Sequence, residues 1–254
     1  MMSKESCKMD MCNGPVLQKV IAFSLPLMLS SCLQLLFNAA DVIVVGRFAG
    51  STSLAAVGST TELLSLLTTL FIGFSIGANV NVARTLGNQD DQGTKDGVHT
   101  AVSVSILSGS AMILLGFLFG RPMLQWMGTP ADVIDKASLY LMIIFIGMPS
   151  NMAYNFGSAI LRAMGDTKRP LYFLSVAGVL NVVLNLIFVI VLHMDVAGVA
   201  LATILSETLS AILILNCLCR TDGPCHLSIR KLYIQKDQLI RMLRIGLPAG
   251  IQSG

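Results

Sequence analysis

Charge is scarce in this sequence. Asp, Glu, Lys and Arg together make up 12% of 254 residues, against 54% hydrophobic residues, a balance that excludes an ordinary water-soluble domain of this length. Aromatic residues are few as well, with a single tryptophan, Trp126. The three histidines, His99, His193 and His226, are scattered, and no H-E-x-x-H, G-x-S-x-G or P-loop pattern occurs, so the commonest hydrolytic and nucleotide chemistries have no residues to work with. The reading is of a non-enzyme without cofactor. The six cysteines lack paired C-x2-C spacing, and Cys217, Cys219, Cys225 and His226 are at best a weak metal candidate, so no metal site is expected. Residues 1–14 lack the apolar core and cleavage site of a signal peptide, which makes the first apolar run an anchor that stays.

Long apolar runs are what the sequence does have. Crossing roughly 30 Å of hydrocarbon takes about 20 helical residues, and candidate runs lie at Val16–Val45, Leu54–Val82, Val98–Phe119, Leu139–Ile160, Leu171–Leu192 and Val196–Leu218, with another starting near Leu239. The expected fold class is an all-α polytopic membrane protein: a six-transmembrane-helix bundle plus a partial seventh helix. The divisions are a cytosolic N-terminus at 1–14, the bundle at 15–219, a basic cytosolic linker at 220–238 and the start of a second bundle at 239–254. Of the 17 Lys and Arg, all but Arg47, Arg121 and Lys136 fall on one side of this arrangement. The positive-inside rule places that side, and the N-terminus, in the cytosol. The net charge of +3 is thereby a topology signal and calls for no nucleic-acid partner. The basic linker is expected to lie along the anionic inner leaflet of the cell membrane.

Several connections read as specific local structures. Gly46–Thr52 reads as a short outer turn, and Ala55, Ala56 and Gly58 after it as a close helix contact. Arg84-x-x-Gly87-Asn88 and Arg162-x-x-Gly165-Asp166 read as two copies of one helix stop with a left-handed glycine. The tight turn from Gly165 to Pro170 predicts that the fourth and fifth spans are antiparallel neighbours.

Asp41 is the residue hardest to explain as packing. It lies in a run, Leu33 to Val45, that is otherwise apolar apart from Gln34 and Asn38, and a carboxylate at membrane depth costs roughly 2.5–3.5 kcal/mol on insertion scales. Asn181 and Asn185 are four apart on one helix face, and their amide oxygens are hard ligands suited to an alkali cation. Thr203 and Glu207 repeat the spacing on the sixth span, and Asn38 precedes Asp41 by a turn. The simplest satisfaction of three polar stripes that lipid would reject is that they face one another. The asparagines serve either as ligands or as glue between helices. Glu62 is a further carboxylate, either functional or placed in water near the outer interface. Pro26 interrupts the hydrogen bonding of the first helix and either gives it a point at which to bend or sets a fixed kink that shapes packing.

The segment Arg241 to Ser253 can be laid over Lys19 to Ser31, with Leu247-Pro248 on Leu25-Pro26. A second copy of the unit therefore begins near Leu239, which predicts a protein of two six-helix repeats.

These residues resemble a known family. Leu25-Pro26, Asp41-x4-Gly46-x3-Gly50-x3-Leu54-Ala55-Ala56, Leu161-Arg162-x2-Gly165-Asp166-Thr167-Lys168-x-Pro170 and Gly198 to Thr203 resemble, in order, the multidrug and toxic compound extrusion (MATE) family. The resemblance implies a plasma-membrane antiporter that expels small organic compounds, often cationic, in exchange for Na+ or H+ by alternating access. It also implies a cation site at Asp41, Asn181, Asn185 and Thr203, and a second six-helix bundle as partner. Position 185 departs from one branch of the family, where it is Asp, and Glu207 is a candidate for the missing carboxylate. The rival function is a flippase for lipid-linked precursors, which would carry more cationic residues in its cavity.

Overall fold

The structure, a computed structural model, describes residues 16–253; the stretch 1–14 assigned to the cytosol lies outside these. Helix α1 (Val16–Val44) runs on through a π-helical turn, Val45–Ala49, and only Gly50 separates it from α2 (Ser51–Gly87). The outer turn expected over Gly46–Thr52 is therefore almost entirely helical, because Arg47, Phe48 and Ala49 are compatible with a helix and the backbone leaves it only at Gly50, at φ +87°. The remaining long helices are α3 (Asp91–Trp126), α4 (Ile134–Ala163), α5 (Lys168–Asn185), α6 (Asp195–Cys219) and α7 (Lys236–Ser253). A second π-helical turn, Leu186–Val191, follows α5. Among the described residues six helices are long and apolar enough to cross a membrane. The protein is a multi-pass, all-α membrane protein.

Helix α4 is the centre of the bundle. It packs against α2, α3 and α6, and its Leu141, Phe145, Met152, Phe156, Ile160 and Leu161 are almost fully buried. A β-carbon at Gly116 of α3 would collide with the Phe145 ring, and one at Gly109 with Pro149, so α3 and α4 meet backbone to side chain with no slack. Such small-residue contacts are how helices associate where lipid removes the hydrophobic drive.

The fourth and fifth spans are not the neighbours that their tight connection suggested. Helix α5 packs against α6 and α1 and barely meets α4, because a cavity opens between α4 and α5 with α6 along one side. The connection itself is as tight as expected. Gly165 is left-handed at φ +80°, the Asp166 amide donates to the Leu161 carbonyl at 2.9 Å, and Asp166 Oδ1 accepts from the Arg169 amide at 3.1 Å. At the other proposed copy the left-handed residue is Gln89, at φ 57°, while Gly87 stays inside α2. Nor is Gly58 at a close contact, since it is exposed with open space around it.

The closest approach of α2 is to α7, at Gly73 and Gly77 against Gly246 and Gly250. A β-carbon on Gly77 would strike the Met242 carbonyl, and one on Gly73 the backbone of Gly250. The linker ahead of α7 is fastened to α3. His99 Nε2 accepts from the Ser228 amide at 3.3 Å, Thr100 Oγ1 accepts from the Gln235 amide at 3.1 Å, and the Tyr233 hydroxyl donates to Asp96. Asn81 Nδ2 donates to Gln238 Oε1 at 2.7 Å. Cys225 and Leu227 of the linker are buried, and the Leu227 amide donates to the Leu218 carbonyl of α6 at 3.2 Å.

Candidate functional site

Helix α1 touches little besides α5. A β-carbon on Gly178 would overlap the Phe37 ring, so only glycine there lets α1 lie this close. One turn beyond Phe37 that approach brings Asp41 to α5, where Asn185 Nδ2 donates a hydrogen bond to Asp41 Oδ1. The same Nδ2 donates to Asn181 Oδ1 at 3.1 Å, and Asn181 Nδ2 reaches Thr203 Oγ1 on α6 at 3.5 Å. The sequence placed these four side chains together, and the structure joins them in one chain of contacts across α1, α5 and α6.

Two features of the backbone mark this spot. The regular part of α5 ends at Asn185 and that of α1 three residues after Asp41, each continuing as a π-helical turn, and the two turns touch. Such widened turns recur at functional sites. Asn185 is fully buried, and its Oδ1 accepts no hydrogen bond from the described residues. A buried amide oxygen left without a donor is costly, on the order of 1–3 kcal/mol, and a cation is the partner it suits. The oxygens of Asp41, Asn185, Asn181 and Thr203 are the hard donor set an alkali ion takes.

Asp41, Asn181 and Thr203 open into a cavity of about 260 Å³ that Asn38 and Gln34 also line. Glu207 lines it too. Its partner is Asn151 of α4, whose Nδ2 donates to Glu207 Oε1 at 2.8 Å. Glu62 is exposed on α2 and has no part in the cavity. Pro26 is buried within α1, and its carbonyl accepts from Ser30 Oγ at 2.8 Å. Asn151 and Asn155 were not anticipated from the sequence. Their signal is the i,i+4 asparagine pair in a long apolar run, the same pattern that singled out Asn181 and Asn185.

The MatE family model matches residues 26–187, which include Pro26, Asp41, Asn151, Asn181 and Asn185. The chain belongs to the MATE family. It is 31% identical over 247 residues to the probable multidrug resistance protein YpnP of Bacillus subtilis (strain 168), covering 96% of this chain and 54% of that protein. The crystal structure of MATE in the bent conformation matches with TM-score 0.87 and 27% identity over 94% of this chain and 53% of the other. A multidrug resistance MATE family transporter of the MOP superfamily in its outward-facing conformation matches with TM-score 0.86 and 27% identity, over 93% and 52%. The chain thus spans about half the length of the MATE proteins it matches, which are transporters and not enzymes.

Proposed function

We propose that this chain forms the first six-helix unit, and the opening helix of the second, of a MATE exporter of small organic compounds, many of them cationic. Export is driven by Na+ or H+ entering, in a cell membrane with the N-terminus in the cytosol. Asp41 is the coupling group. One observation carries the reading: a carboxylate on the least-supported helix is bonded to a buried asparagine, Asn185, whose own carbonyl has no donor among the described residues. An entering Na+ finds oxygens from α1, α5 and α6 at once, while a proton neutralises Asp41. Either event changes the charge that holds α1 to α5, and Pro26 gives α1 the place to bend in response. Emptying the site toward the cytosol restores the charge and readies the cavity for a cationic cargo. Two carboxylates and, among the described residues, no Lys or Arg on this cavity wall favour cationic cargo over the anionic cargo of a lipid-precursor flippase.

The test uses the full-length protein in proteoliposomes with a fluorescent organic cation under an imposed Na+ or pH gradient. Transport should follow one gradient and disappear in Asp41→Asn. Transport that ignores both gradients would move the assignment to a flippase.

A further inference from the structure

Asp41 and Glu207 share one cavity but, among the described residues, no hydrogen-bond partner. Asp41 is held by Asn185 across the α1–α5 contact, and Glu207 by Asn151 across the α4–α6 contact. Their surroundings differ in chemistry as well. Around Asp41 the amides offer oxygens, including the undonated Asn185 Oδ1. Around Glu207 the oxygen of the neighbouring amide is already used: Asn155 Nδ2 donates to Asn151 Oδ1 at 2.9 Å and to the Asn151 carbonyl at 3.0 Å. That orientation turns the Asn151 amide hydrogens toward Glu207 and fixes the carboxylate. A bare alkali ion, which needs several oxygens, is poorly served there. A cation that brings its own N–H donors is well served, because Oε2 of Glu207 accepts no hydrogen bond from the described residues. Phe37 and Tyr154 line the same cavity, and aromatic rings near a cation favour it. Glu207 lies one turn from Thr203, about 6 Å along α6, so cargo and coupling ion have separate places within a single cavity.

We propose that Glu207, oriented by Asn151 and Asn155, is the anchor for the protonated amine of the exported compound and is distinct from the coupling group. This rests on the transport reading above and assigns that cavity's cargo-binding residue. It replaces the expectation that Glu207 stands in for a second coupling carboxylate.

The experiment measures binding of dansylcadaverine, a fluorescent primary amine, and of its neutral N-acetyl derivative to the purified full-length protein, with and without saturating Na+ and at two pH values. Wild type should bind the amine more tightly than the acetyl derivative, and its Kd should shift with the coupling ion, as linkage between the two sites requires. Glu207→Gln should weaken amine binding on the order of tenfold, the scale of a hydrogen bond to a charged group, and leave the acetyl derivative and the ion-dependent Kd ratio unchanged. That retained ratio also shows the variant to be folded. Asn151→Ala should weaken the amine by a smaller factor. Asp41→Asn should collapse the ratio to one while still preferring the amine over its acetyl derivative. The proposal is overturned if wild type does not prefer the amine, if Glu207→Gln leaves its Kd unchanged, or if Glu207→Gln collapses the ion ratio. An ion ratio of one already in wild type would overturn the coupling role of Asp41 instead, with the amine preference still reporting on Glu207.

Discussion

Helices α1 and α4 are both long and apolar and both carry an internal proline, Pro26 and Pro149, yet they hold opposite positions in the bundle. In the most apolar window of α4, 56% of residues are buried inside this chain, against 6% for α1 and its π-helical turn. Helix α4 is wedged between α2, α3 and α6, whereas α1 leans chiefly on α5. The two sides of the cavity inherit this difference. Asn151 and Asn155 sit on a fixed post, while Asp41 sits on a helix whose position depends on few contacts. A site that must convert ion occupancy into movement needs one wall of each kind, because a ligand shifts an equilibrium only where two arrangements are close in free energy.

The comparison can be broken most forcefully at the α3–α4 contact. Gly116→Val should push Phe145 out of place and cost about 1–3 kcal/mol or more, as overpacking of tight cores does; a large fall in thermal unfolding temperature in detergent would show it. Gly178→Ala forces α1 away from α5 through Phe37. It should lower stability less than Gly116→Val while strongly reducing transport, and Phe37→Ala should partly restore transport in the double variant. Equal stability losses at the two glycines would mean that α1 is as firmly held as α4. Pro26→Ala restores a backbone donor inside α1 and should slow transport while the ion-dependent Kd ratio survives; undiminished transport would remove bending at Pro26 from the mechanism.

The smallest effect is expected at the linker clamp. Tyr233→Phe removes the bond to Asp96 and should cost about 1 kcal/mol or less. Partial burial, followed by the neighbouring Asp96, pushes the Tyr233 hydroxyl from its ordinary 10.0 up to about 12. A raised value means that the clamp is at full strength below pH 10 and is lost as pH rises toward about 12. Protection of the linker amides from hydrogen exchange should decline over that window in wild type only.

Asp41 and the pair Asn181 and Asn185 were legible because polar groups stand out sharply in a long apolar run and need one another. Asn151 and Asn155 carry the same signal in a helix with more hydroxyl and glycine residues around it, where the contrast is weaker. The π-helical turns beyond Asp41 and Asn185 left no trace, since Val-Gly-Arg-Phe-Ala and Leu-Ile-Phe-Val-Ile-Val suit a regular helix equally well. The tight turn after Gly165 was legible, but adjacency of α4 and α5 did not follow from it. A short loop constrains helix ends, and the cavity beyond it separates the rest.

The most direct measurement is the distance between spin labels at Met28 on α1 and Ile146 on α4, both exposed, in full-length protein with its native cysteines replaced. The distance distribution should shift when Na+ is added or the pH is lowered, and the shift should vanish in Asp41→Asn. An equal shift in Asp41→Asn, or a fixed distance in protein that still transports against a gradient, would contradict the account of α1 as the helix that responds to the coupling ion.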